Sequence, residues 1–299
     1  MKNFLQRYMT EFTRRYKEMG FVRYRQAHLR MTGDILQVIR MDRIGSGRKC
    51  RIYFMASPLS AFWSYYNVFG YFDLEDFSWE LDSGGCDYFG YDPRSEASMN
   101  VCIDRTFSAI DQIIIPYFEK AVDLKNAFEA LEEYGKRRAT DRLNSHLEYV
   151  RSEEHYDEET DEEDFDEDES EESEEYDYYS SFVRLHAYHR LLAMELHRYD
   201  EAIKDFEWVK QNAQKNIKRM ERYLIISEFR QGDHQKDQRY IDGCKDTIQW
   251  CEEWIDRLQR DDTSWIEEFL KNNEEKTKEE IRREIPRLAK KYRSIDKGH

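Results

Sequence analysis

The sequence predicts an α+β N-terminal domain, built as a helix, an antiparallel meander and further helices, followed by an all-α helical-hairpin domain. Three observations carry this expectation. The apolar spacing changes from helical to strand-like early in the chain. Between residues 152 and 177, eighteen of twenty-six residues are Asp or Glu and none is Lys or Arg. Beyond that run the apolar residues recur at helical spacing again. The expected organisation is therefore a domain at 1–151, an acidic disordered linker at 152–177 and a helical domain at 178–299.

Phe4, Leu5, Tyr8, Met9, Phe12, Tyr16 and Met19 fall at helical spacing with Arg14, Arg15 and Lys17 between them, and Gly20 supplies the stop. Residues 21–31 are strand-like, and Gly33-Asp34 offers a turn. Residues 35–41 and 50–55 are two more β-rich runs, which completes the meander. Between Phe62 and Tyr91 twelve of thirty residues are aromatic, threaded with carboxylates, and Ser83-Gly84-Gly85 suggests an irregular hairpin. Residues 106–120 and 124–134 return to helical spacing, with Pro116 kinking the first helix or dividing it.

Met19-Gly20-Phe21, Arg30, Ile35-Leu36-Gln37-Val38-Ile39, Arg51-Ile52-Tyr53-Phe54 and Ile113-Ile114-Ile115-Pro116-Tyr117-Phe118 occur in an order that resembles a bacterial family, domain of unknown function 4304, over about residues 1–135. The resemblance implies a small α+β domain and brings no catalytic residues with it.

After the acidic run, residues 182–197 read as a helix, and Arg198-Tyr199-Asp200-Glu201-Ala202-Ile203-Lys204-Asp205-Phe206-Glu207-Trp208 resembles the second helix of a tetratricopeptide repeat. An echo at residues 239–246 lies forty-one positions later, whereas that repeat has a period of about 34. Helical hairpins are expected and a repeat array is not. Ser264-Trp265-Ile266-Glu267 and Thr277-Lys278-Glu279-Glu280 both have the spacing of a capping box. Ile281, Ile285, Leu288 and Tyr292 give the last helix one apolar face, and Pro286 should bend it.

The chain carries 47 basic and 63 acidic residues, a net of −16. The acidic run alone accounts for −18, which leaves +1 in residues 1–151 and +1 in residues 178–299. The low pI thus describes one segment and not the folded parts. As a Gaussian coil that segment would separate its ends by about 30 Å, enough to let the flanking halves move independently. It lacks the sixth-position Gly of an EF-hand loop, so it is not expected to form a calcium site. No stretch approaches the roughly 20 apolar residues of a membrane span, and the N-terminus lacks the apolar core of a signal peptide, so a cytoplasmic protein is expected. Five cysteines without a C-x-x-C pair argue for reduced thiols over a disulfide framework or a zinc knuckle.

No phosphate-binding loop, H-E-x-x-H, G-x-S-x-G or dinucleotide fingerprint is present. Gly45-Ser46-Gly47-Arg48-Lys49 could offer amides and cations to a phosphate, but it reads more simply as a hairpin turn. His186, His189 and His197 share a helix face, yet the first and last are about 16 Å apart along it, so the three cannot form one metal site. No metal, cofactor or catalytic residue is assigned. Arg23, Arg25, Arg30, Arg40, Arg43, Arg48, Lys49 and Arg51 lie on predicted strands and a turn and are candidate polyanion-binding residues. Residues 61–104 reverse the sign, with Arg94 their only cation, so internal pairing competes with that reading. Tyr199, Phe206 and Trp208 are candidate partner-binding residues on the tetratricopeptide-like helix.

These features lead to the expectation of a non-enzymatic protein–protein interaction or adaptor protein, an architecture compatible with bacterial defence or immunity. The alternative is a nucleic-acid-associated protein that uses its basic strands, with the acidic run as an internal competitor.

Overall fold

The computed structural model describes residues 4–44, 48–61, 72–77, 81, 89–153, 187–227, 234–260 and 263–292. The acidic run beyond Glu153, most of the aromatic block, residues 45–47 of the glycine turn and His186 lie outside them.

The chain opens with α1 (Phe4–Tyr16), which buries Phe4, Tyr8, Met9, Phe12 and Tyr16 along one face. The helix stops because Gly20 takes φ 91, a backbone state open to a residue without Cβ. Five antiparallel strands follow in sequence order: β1 (Val22–Tyr24), β2 (Ala27–Thr32), β3 (Ile35–Ile44), β4 (Lys49–Pro58) and β5 (Phe72–Asp73). The strand-like run at residues 21–31 is two strands, folded over at Arg25, whose φ of 53 turns the chain. Short 3₁₀ turns at Leu59–Ala61 and Leu74–Phe77 flank the passage to β5.

Register assigns the side chains to two faces. His28, Arg30, Gln37, Ile39, Ile52, Phe54 and Ala56 share one face, because His28 pairs with Ile39, Ile39 with Phe54, Arg30 with Gln37 and Gln37 with Ala56. Helices α1, α2 (Glu96–Ala109) and α3 (Ile115–Lys120) cover it. Phe12 stacks on His28 at 3.9 Å, and Tyr117 and Phe118 meet Phe54 edge-on. Gln37 is fully buried there, and its amide donates to the carbonyls of Phe118 and Ala121 at 2.7 and 2.9 Å. Cys50 and Cys102 are also buried on this side as free thiols, 3.9 Å apart.

α2 begins at Glu96, ten residues before the apolar periodicity suggests, because Ser95 caps it by accepting from the Ser98 N–H at 3.2 Å. Helical backbone is continuous from α2 to α3, so Pro116 does not end it. A π-helical segment (Ile110–Ile114) widens the turn ahead of Pro116, and the Ile115 N–H reaches back to the Ile110 carbonyl. The wide turn relieves the clash that a proline ring makes in a regular helix. α4 then runs Leu124–Glu153, beyond the Tyr134 end of the expected helix, and Ala139, Leu143, Leu147 and Val150 continue the helical spacing in the sequence. Arg138 of α4 pairs with the nearly buried Asp76 at 2.7 Å.

The opposite sheet face carries Leu29, Met31, Leu36, Val38 and Met55, all buried. It is covered by helices from the second half of the chain: α5 (Ala187–Glu195), α8 (Thr263–Glu284) and α9 (Pro286–Lys291). Tyr24 donates to Glu284 at 2.9 Å and Lys291 donates to the Gly20 carbonyl at 3.0 Å. One apolar core thus runs from Phe4 to Ala289. The freedom expected for the two halves is not what the packing provides, for a physical reason. Both sheet faces are apolar, and the helices of the first half cover only one.

Between α5 and α8 stands a hairpin of α6 (Tyr199–Ser227) and α7 (His234–Gln259). Its helices are about 43 and 39 Å long. Each is roughly twice the length that a 34-residue tetratricopeptide unit allows. α7 packs along α6, and its C-terminal turns reach α8 through Trp254. The capping-box spacing at Thr277 does not start a helix. Thr277 is buried in the middle of α8, a continuous helix of 22 residues. Pro286 interrupts it, because Ile285 leaves helical geometry and Pro286 opens α9. Among the described residues no helix is long and apolar enough to cross a membrane.

Candidate functional site

Three helices converge where the second half of the chain meets the first. The turn from α5 to α6 sets the geometry. His197 occupies the left-handed region at φ 55, and the Arg198 N–H bonds back to the Ala193 carbonyl at 2.8 Å, as in a Schellman ending. The chain then re-enters helix at Tyr199, and Glu201 and Asp205, four residues apart, lie on one face of α6.

That face meets His189 of α5. His189 is 5% exposed and Asp205 1%. The His189 Nδ1 is hydrogen-bonded to Asp205 Oδ2, while Nε2 has Glu132 Oε1 of α4 at 3.7 Å and no hydrogen-bond partner of its own. Phe128 of α4 packs against the imidazole with ring centroids 4.5 Å apart. The Arg198 guanidinium lies 4.7 Å from the centre of the Phe128 ring and 3.7 Å from Glu201. Arg190, buried beside His189, lies over the Phe206 ring.

Burial alone pushes the His189 imidazole down, but the hydrogen bond to Asp205 and the nearby negative charge of Glu132 outweigh it and raise the group to about 9. Contact with His189 in turn lowers the Glu132 carboxyl. At neutral pH His189 is therefore an imidazolium held between two carboxylates.

Glu132, His189 and Glu201 bring one donor atom each within 4.8 Å of one another, and Asp205 sits where an outer carboxylate orients a metal-bound histidine. Charge balance favours a proton at Nε2 over a metal ion. Glu132, Glu201 and Asp205 already face His189, Arg190, Arg198 and Lys136. A divalent ion would have to expel the Nε2 proton and enter a cluster that is already neutralised. The arrangement is suited to clamping: it ties α4 of the first half to α5 and α6 of the second through charge.

Sequence reasoning singled out His189 but none of its partners. The signal available was the i,i+4 pair Glu201 and Asp205 at the head of a helix, directly after a histidine-bearing helix. His197 serves the turn instead, with its Nδ1 2.9 Å from the Tyr199 hydroxyl.

The eight basic candidates do not form one track. Register places Arg23, Arg30 and Arg43 toward one sheet face and Arg40 and Arg51 toward the other. Arg30 lies over Phe21 and Phe118 and is hydrogen-bonded to Gln37. Arg40 pairs with Asp42 at 2.8 Å, Arg51 with Asp73 at 3.0 Å, and Arg25 approaches Glu284 at 4.0 Å. Arg43 is hydrogen-bonded to Tyr91, Lys49 is half-buried at the start of β4, and Arg48 and Arg23 are exposed. Of the partner-binding candidates, Phe206 is 1% exposed and stacks on Trp254, so it serves the hairpin's own packing. Tyr199 is half-buried and lines a cleft against α8, and Trp208 is half-buried on α6.

Comparison with family models, with curated proteins and with solved structures returned no match.

Proposed function

We propose that this chain is a non-enzymatic adaptor that binds another protein through exposed aromatic side chains of the α6–α7 hairpin. The observation that carries the reading is the exposure of two large aromatic side chains on α7, Tyr240 at 49% and Trp250 at 43%. Trp250 is held ready by its neighbours, with Phe206 edge-on at 5.3 Å and the Arg190 guanidinium 5.9 Å from its ring. A pre-ordered tryptophan loses little side-chain freedom on binding, and tryptophan is enriched among residues that dominate interface energetics. The two side chains stand about 15 Å apart along the helix, a span suited to an amphipathic helix or a strand of a partner.

The nucleic-acid alternative has less support, because the basic side chains divide between two covered faces and several are already paired. Affinity capture from the source cells with the wild-type chain and a Y240E/W250E variant tests the proposal. We expect a protein retained by the wild type and lost by the variant, and then at least about tenfold weaker binding of the purified partner to the variant. An identical set of bound proteins for both chains would refute it.

A further inference from the structure

At the edge of the sheet, α1, β1 and α9 border an open cavity of about 250 Å³, lined by no residue of the α6–α7 hairpin. His28 lies in its wall, 2% exposed, and neither of its ring nitrogens has a hydrogen-bond partner. Phe12, Tyr16 and Phe21 stand in the same wall. Phe12 stacks on His28 at 3.9 Å, Phe21 meets Phe12 edge-on at 5.5 Å, and Tyr16 meets Phe12 edge-on at 4.7 Å.

Lys17, Arg23 and Arg287 line the same cavity, and no carboxylate does. None of these three cations forms an ion pair among the described residues. In a chain whose other strand arginines are mostly paired or covered, three unneutralised cations around one aromatic recess are a distinct feature. Burial, and then the charge of Arg23, push the His28 imidazole down to about 3. The ring is thus neutral at physiological pH and offers one donor and one acceptor, both buried and unmet.

We infer that this cavity binds a small planar anion, a single aromatic or heteroaromatic ring bearing a carboxylate or a phosphate. The ring would lie among Phe12, Tyr16, Phe21 and His28, and the anionic group between Lys17, Arg23 and Arg287. The volume lies just below the range of about 300–1,000 Å³ typical of drug-sized ligands, which limits the occupant to one ring system. His28 supplies polarity in the ring plane: its unmet nitrogens match a ring heteroatom or hydroxyl.

The test is a titration of the full chain with benzoate and phenyl phosphate, read by histidine-selective NMR, with His28 assigned through its contact with the Phe12 ring. Inorganic phosphate and benzyl alcohol are the controls for charge alone and ring alone. At least one ring anion is expected to shift the His28 resonances saturably, and either control should bind at least about tenfold more weakly. An R23A/R287A variant changes two exposed side chains and should keep the wild-type spectrum elsewhere, yet weaken the ring anion by about tenfold or more. No saturable shift with either ring anion would overturn the inference, as would equal affinity in the variant. So would inorganic phosphate binding as tightly as phenyl phosphate, which would mark mere surface charge.

Discussion

Replacing Asp205 by alanine is expected to lower the stability of the chain by about 3–5 kcal/mol, the usual consequence of removing one partner of a buried ion pair. Asp205 is 1% exposed and faces two buried cations, His189 and Arg190. The substitution removes the hydrogen-bonded counter-charge of His189 and a negative charge that favours the charged form of Arg190. Asp205→Asn keeps an acceptor for the Nδ1 proton but not the charge, and it should fall between the two. Urea denaturation followed by circular dichroism measures the difference.

The same cluster dictates a pH dependence whose sign is fixed by His189. The group titrates near 6.5 in an unfolded chain and is raised to about 9 in the folded one. The folded state therefore holds the proton more tightly. Its contribution, on the order of 3 kcal/mol, is fully present below about pH 6.5 and is lost as the pH rises through about 9. In Asp205→Ala this alkaline loss should shrink markedly, which separates an electrostatic role from one of packing alone.

Trp254→Ala should have a comparable effect, about 3–5 kcal/mol, by a different route. Trp254 is 6% exposed and stacks on Phe206 of α6, with ring planes 11° apart. It also meets Trp265 and Phe269 of α8 edge-on, each at 4.8 Å. Removing it leaves a large void at the point where the hairpin joins the rest of the helical layer. Trp250→Ala, four residues earlier on the same face but 43% exposed, should cost less than about 1 kcal/mol while removing the proposed contact residue. Thermal denaturation of the two variants side by side checks this contrast.

Much of the architecture is legible in the sequence because it rests on local signals. The apolar face of α1 and its glycine stop, the alternation of β2 to β4 and the helices after the acidic run all follow from periodicity and turn residues. The features that escape such reading have identifiable causes. The early start of α2 depends on the single hydroxyl of Ser95, and in the extension of α4 the period of Ala139, Leu143, Leu147 and Val150 is diluted by polar and charged residues. The Thr277 pattern misleads because a Ser/Thr-x-x-Glu spacing is chemically a cap only where the first residue has left helical geometry.

The candidate site was far less legible. Glu132, His189 and Asp205 come from three helices on either side of a long acidic stretch, and only tertiary packing joins them. The burial of Phe206 is likewise invisible to spacing alone. An aromatic residue at a helical-hairpin position fits an inward and an outward face equally well until α7 supplies Trp254. Conversely, Arg23 was legible only as one of eight cations, and its distinction is the unpaired company of Lys17 and Arg287 around His28.

The adaptor reading requires a firm base for the α6–α7 hairpin, and the shared core provides one: α5, α8 and α9 close the second face of the sheet while the His189 cluster ties α4 to α5 and α6. Hydrogen exchange of the full wild-type chain across a urea series, read segment by segment by mass spectrometry, tests this most directly. The strands β2 to β4 and the helices α5, α8 and α9 should lose protection together, at one denaturant concentration. Loss of protection in α5, α8 and α9 while β2 to β4 stay protected would contradict the account.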